Sequence, residues 1–184
     1  MLNLSYLALK NRLSQKVAPK YVDWFMGQYL EDEEQDGGAL LWDTPAVFLE
    51  FAPVQWQTMS LGVQAANISM NVHLVTDNYH SDDQRVTDTT INLFGLENLV
   101  FKSLMNWRCN LSFVPGMEAL ADTSADRVLM ESLVRVTSET DHNARRQMVS
   151  VQGFTTRIYD YSATKEWAQV LAMLELDVIK VDQL

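Results

Sequence analysis

The chain has 184 residues, 47% of them hydrophobic, which suits one domain able to bury a sizeable core. Its 24 acidic residues against 14 basic ones leave a formal charge of -10, which argues against any surface built to grip nucleic acid phosphates. Cys109 is the lone cysteine, so an intramolecular disulfide and a zinc site of paired thiolates within one chain are both excluded.

The opening run MLNLSYLALKNRL mixes apolar with polar and basic residues and lacks the apolar core of a signal peptide. No window approaches the run of about twenty apolar residues that a spanning helix needs. Assembly in a cytoplasm, with no membrane partner, is the expectation, and the sequons at Asn67 and Asn110 are then incidental.

Leu2, Tyr6, Leu9, Leu13 and Val17 recur at steps of three and four, which predicts an amphipathic helix stopped by Pro19. The segment KYVDWFMGQYL at 20–30 is rich in aromatic and β-branched residues and reads as a strand, although its two alternating sets are both partly apolar and a helix also fits. EDEEQD at 31–36 places five acids in six positions ahead of Gly37 and Gly38, so 31–38 reads as a solvated acidic loop. It lacks the DxDxDG spacing of a calcium loop.

The stretch 45–78 reads as the spine of a sheet. Val47, Leu49 and Phe51 alternate after Pro45, Pro53 forces a bend or an edge, and 54–59 continues in extended style. After a turn at Gly62, Ile68, Met70, Val72 and Leu74 alternate with Asn67, Ser69, Asn71 and His73, so one face should be buried and the other wet or partner-facing. A polar crossing loop follows and ends in the capping residues Asp88, Thr89 and Thr90. A second helix is expected from Ile91 to Trp107 on the stripe Leu93, Leu96, Val100, Leu104 and Trp107.

The insertion 108–130 reads as mostly irregular. Two extended runs, 131–140 and 146–160, flank the turn-forming DHNA and predict a hairpin. The segment 165–181 fits a helix through Trp167, Val170, Leu171, Leu174 and Val178, while LDVIKV alone fits a strand. The expected fold is α+β, a single domain over 1–184, with a mixed, mainly antiparallel sheet and two principal helices packed on it.

Searched for chemistry, the chain offers little. His80 with Asp82 and Asp83 could form a metal or acid-base site, but a strand-to-helix turn uses the same residue types for capping. His142 beside Asp141 and Asn143 has the character of a hairpin turn. Cys109 next to Arg108 could be a lowered thiol, or an inert small hydrophobe after a packed helix. No nucleophile elbow, dinucleotide turn or phosphate loop is present. Trp24, Trp42, Trp56, Trp107 and Trp167 suit core or subunit packing better than a ligand pocket. Neither a catalytic residue nor a cofactor or metal is expected.

The order helix, strand, acidic loop, two-strand spine, crossing loop, helix and hairpin comes with the wording PAVFLEFAPVQWQT, GVQ, VHLVTDNYHSDD and FTTRIYDYS. Together they resemble the tail terminator, or tail-completion, proteins of long-tailed bacteriophages and prophages, over 2–161. The 31–38 loop and the 108–130 insertion depart from the compact members. The resemblance implies a structural virion protein without enzymatic activity. Its copies would form a homo-oligomeric ring, usually a hexamer, that caps the tail tube protein and joins the head-tail connector protein while DNA passes without specific binding. It would be assembled in the host cytoplasm and located in the virion tail. Another head-tail connector or tail-tube-like subunit is the nearer alternative reading. The distant one is a small-molecule-binding or enzymatic cone of sheet and helices using His80, Asp82 and Asp83.

Overall fold

The computed structural model describes residues 1–30, 42–77, 85–123, 126–141, 147–165 and 167. The acidic loop, His80, Asp82, Asp83, His142 and nearly all of 165–181 therefore lie outside the described residues.

The first helix, α1 (Leu2–Lys16), forms where its apolar spacing predicts, and Leu9 and Leu13 are fully buried. Val17 closes it, and Ala18 then takes a left-handed φ of 52° ahead of Pro19. The strand expected over 20–30 is shorter. It runs only as β1 (Tyr21–Trp24), because Gly27 at φ 89° turns the chain back, with the Leu30 N–H donating to the Gly27 carbonyl.

The spine resolves into three strands, β2 (Ala46–Phe51), β3 (Gln57–Ser60) and β4 (Val63–Asp77), after a cis Thr44–Pro45 peptide. The run expected to continue from 54 becomes a strand only at 57, beyond Pro53. Leu61 and Gly62, with φ of 49° and 85°, make a tight two-residue turn between β3 and β4. A Cβ on Gly62 would stand 2.6 Å from the Ala163 carbonyl oxygen, so the close approach of the chain after the sheet also demands glycine there.

The second helix, α2 (Arg85–Leu104), begins before the expected Ile91. Asp88, Thr89 and Thr90, read as caps, lie inside it, since the residue types that cap a helix also serve in its first turns. It ends short of Trp107, where Asn106 adopts the left-handed conformation at φ 59°, a usual helix stop. Leu93, Val100 and Leu104 are buried, while Leu96 and Trp107 are partly so.

The insertion holds more order than expected. Two short strands, β5 (Cys109–Asn110) and β6 (Val128–Met130), pair with each other, and single 3-10 turns form at Leu111–Phe113 and Glu118–Leu120. Leu111, Val114, Leu129 and Met130 are buried, so this segment closes one end of the core. The hairpin is present as β7 (Val134–Asp141) and β8 (Gln147–Asp160).

Among the described residues the sheet has eight strands, in the order β1-β2-β4-β8-β6-β5, with β3 added beside β4 and β7 beside β8. The β1–β2 pair is parallel and all the other pairs are antiparallel, giving the mixed, mainly antiparallel α+β fold. β4 lies at its centre, paired with β8 from Gln64↔Asp160 to Asp77↔Gln147 and with β2 from Phe51↔Met70 to Ala46↔Val75. Strand alternation assigns Met70, Val72, Leu74, Phe154, Ile158, Val47 and Leu49 to one face, in a core shared with both helices. Burying each such large side chain contributes about 1.5 to 3 kcal/mol, well above any propensity difference. Among the described residues no helix is long and apolar enough to cross a membrane.

Candidate assembly surface

The face of the sheet away from the helices carries Asn67, Ser69, Asn71 and His73 of β4, as the alternation requires, but it is not uniformly wet. Asn67 and Ser69 are exposed, Asn71 is half-buried and His73 is buried at 5%. A second, smaller cluster covers the His73 end: Ala46, Phe48, Val75, Val149 and Val151 of the sheet under Tyr29 and Trp42.

His73 is held from three sides. The Phe25 ring stacks on its imidazole at 4.1 Å and 13°. In the neutral ring, Nε2–H donates to Glu50 Oε2 at 3.2 Å and Nδ1 accepts from the Tyr29 hydroxyl at 2.7 Å. Asn71 Nδ2 donates to the same Glu50 oxygen at 3.0 Å. Both ring nitrogens are taken and the ring is covered, so the arrangement fastens the 25–29 segment to the sheet and leaves no nitrogen open to a substrate. The sequence pattern put His73 on a face expected to be wet or partner-facing. Its cover comes from aromatic residues far away in the chain, which strand alternation cannot foresee.

The other end of this face is more open, although Ala65 on it is buried and Tyr161 packs against the main core. Beyond Glu50 and Asn71, β4 presents Ser69 and Asn67, β8 presents Arg157, Tyr159 and Tyr161 follow at the same alternation, and β3 is exposed along its whole length. Tyr159 donates to Glu131 Oε1 at 3.1 Å. Burial, then this bond and the Glu131 charge, push the Tyr159 hydroxyl above its ordinary pKa against Arg157 and Arg108, which pull it down.

On the helix side, an open cleft of about 660 Å³ lies between α2 and the end of the spine, lined mainly by Pro45, Ile91, Gly95, Leu96 and Leu99 with Thr76 and Asp77. Ile91 and Leu99 are exposed there, as is nearby Phe94.

Cys109 and the tryptophans have defined places in the fold. Cys109 is fully buried, and burial, with a smaller contribution from Asp126, pushes its thiol up to about 12, so it is an inert hydrophobe. Trp42 and Trp167 are buried, Trp56 and Trp107 are partly buried against the main core, and Trp24 is 37% exposed with its ring edge-on to Tyr6 and Phe51. Among the described residues, no three His, Cys, Asp or Glu side chains converge as a metal site.

No model of a known protein family matches the chain, and no curated protein matches it.

Proposed function

We propose that this chain is a tail terminator subunit of a long-tailed bacteriophage or prophage, a structural protein whose copies close into a ring on the end of the tail tube and later meet the head-tail connector. The observation that carries the reading is the more open half of the sheet face. A strand face of Asn67, Ser69 and Arg157 beside the exposed β3 is a polar surface open to contact, the form an assembly contact takes. The order of elements along the chain supports it, since helix, strand, spine, helix and hairpin follow each other as in the resembling family.

A net charge of -10 would keep DNA sliding through a lumen by repelling its phosphates.

Negative-stain microscopy and sedimentation of the purified chain, alone and with tail tubes, test the reading. Closed rings in solution or on tube ends are expected. A chain that stays monomeric and leaves tube ends bare overturns it.

The cleft beside α2 favours a second reading, a small-molecule-binding module, because its volume falls in the range of ligand pockets. Electron density for a co-purified compound in the cleft would bring that reading forward.

A further inference from the structure

Two positions among the described residues break local rules for which the packing of the chain itself gives no reason. The turn between β3 and β4 has left-handed φ angles of 49° and 85° at Leu61 and Gly62, a geometry that favours asparagine followed by glycine. Leucine stands first instead, and its side chain is 94% exposed. One position thus combines a strained backbone with a bare apolar side chain. Met59 of the same hairpin is more than half exposed as well.

The second position is Gly95, midway along α2. A Cβ there would meet nothing within 4 Å, and the φ is not left-handed, so neither crowding nor backbone geometry calls for glycine. Inside a helix it weakens the fold relative to alanine. Its effect is on the cleft. Ile91, Gly95 and Leu99 follow at steps of four, share one side of α2 and line that cleft, where Ile91 and Leu99 are exposed. The missing side chain leaves a notch between two apolar ones, within a space of about 660 Å³.

Knob and notch are complementary. The knob is a branched apolar side chain on a turn braced from behind, where Gly62 lies against the chain at Ala163. Such a tip loses little freedom on docking. The two lie at opposite ends of β4: the tip precedes Val63, whereas Thr76 and Asp77 at the far end line the cleft. The 15 residues of that strand span roughly 46 Å, so the tip cannot enter the cleft of its own copy.

We infer that the β3–β4 tip of one copy seats in the α2 cleft of the next, with Leu61 entering the notch at Gly95 between Ile91 and Leu99. The inference rests on the ring reading and supplies its contact. Each copy has one knob and one notch on different surfaces, so the contact is head-to-tail and serves two neighbours, as a closed ring needs.

Ring formation by the full chain, read by sedimentation in solution and by negative-stain microscopy of tube ends, tests this. Leu61→Asn suits the turn better than leucine, and Gly95→Leu suits the helix better than glycine, so both variants keep or raise the urea unfolding midpoint. Each nevertheless raises the concentration for half-association by about tenfold or more. A merely structural role would move stability and association together. The two variants mixed form one-to-one pairs and nothing larger, because the tip of the Gly95→Leu chain still fits the cleft of the Leu61→Asn chain. Circular dichroism reports folding, and Leu61→Asn carries the test if Gly95→Leu does not fold.

Rings formed as readily by either folded variant as by the parent chain overturn the inference and leave the ring reading standing. A parent chain that is monomeric and leaves tubes uncapped overturns both. Solution rings unchanged by Leu61→Asn, with tube capping lost, assign the tip to the tube protein and overturn the inference alone. A co-purified compound filling the cleft in assembled rings does the same.

Discussion

The two halves of β4 are one unbroken strand, paired with β8 throughout, yet they live in different surroundings. Residues 70–76 are buried on both faces apart from half-buried Asn71, with helices on one side and the Tyr29 and Trp42 cluster on the other. In residues 63–69 the same face holds exposed Asn67 and Ser69 beside buried Ala65. The difference teaches that the sequence pattern and the environment carry separate information. Alternation says which side chains share a face, and only the rest of the chain decides whether that face is covered.

The largest expected effect sets the halves directly against each other. Phe48→Ala, under Trp42 and beside Tyr21 in the covered half, should cost about 3 to 5 kcal/mol, whereas Asn67→Ala should stay within about 0.5 kcal/mol. Urea unfolding midpoints measure both. Equal costs would mean that the two halves are not distinct.

Next comes the turn that begins the more open half. Gly62→Ala meets the Ala163 carbonyl and a φ of 85°, and should cost about 1 to 3 kcal/mol, read by the same unfolding curves. A neutral result would show that the more open half does not depend on its turn geometry.

How much of this was legible follows from the same residues. Ile68, Met70, Val72 and Leu74 announced β4, and Leu93, Val100 and Leu104 announced α2, because burial on one side leaves a period. His73 looked wet because Phe25 and Tyr29, which cover it, belong to a segment that reads as a continuing strand until Gly27 turns it back. The start of α2 was hidden because Asp and Thr suit both loop and first turn. The arginines and tyrosines of the more open end were half visible: Arg157, Tyr159 and Tyr161 alternate in FTTRIYDYS, but Arg108 and Arg127 join them only through β5 and β6.

Within the covered half, Tyr29→Phe probes the fastening of the 25–29 segment. It removes the hydroxyl 2.7 Å from His73 Nδ1 and should cost about 1 to 2 kcal/mol while leaving Phe25 stacked. Hydrogen exchange should show faster opening of 25–29 with β3 unchanged. Faster exchange spread over both halves would break the distinction between them.

The smallest effect concerns β1, which borders the covered half through β2 alone. Burial pushes the Asp23 carboxyl up, but hydrogen bonds from the Tyr6 hydroxyl, the Trp24 N–H and the Tyr21 hydroxyl, with Lys10 nearby at 3.7 Å, outweigh it and hold its pKa below the usual value. A carboxyl lowered on folding binds its proton more readily in the unfolded chain. Its contribution to stability is therefore complete above the ordinary Asp range and disappears as pH falls through that range toward the lowered folded value. Asp23 is 41% exposed, so solvent screens the effect and keeps it small. Stability measured from neutral pH down into the carboxylate range should fall less steeply in Asp23→Asn than in the parent chain, and added salt should narrow the gap. Parallel pH profiles would show that α1 is held to β1 by packing of Tyr6 against Trp24 alone, with no part played by the carboxylate between the two tyrosines.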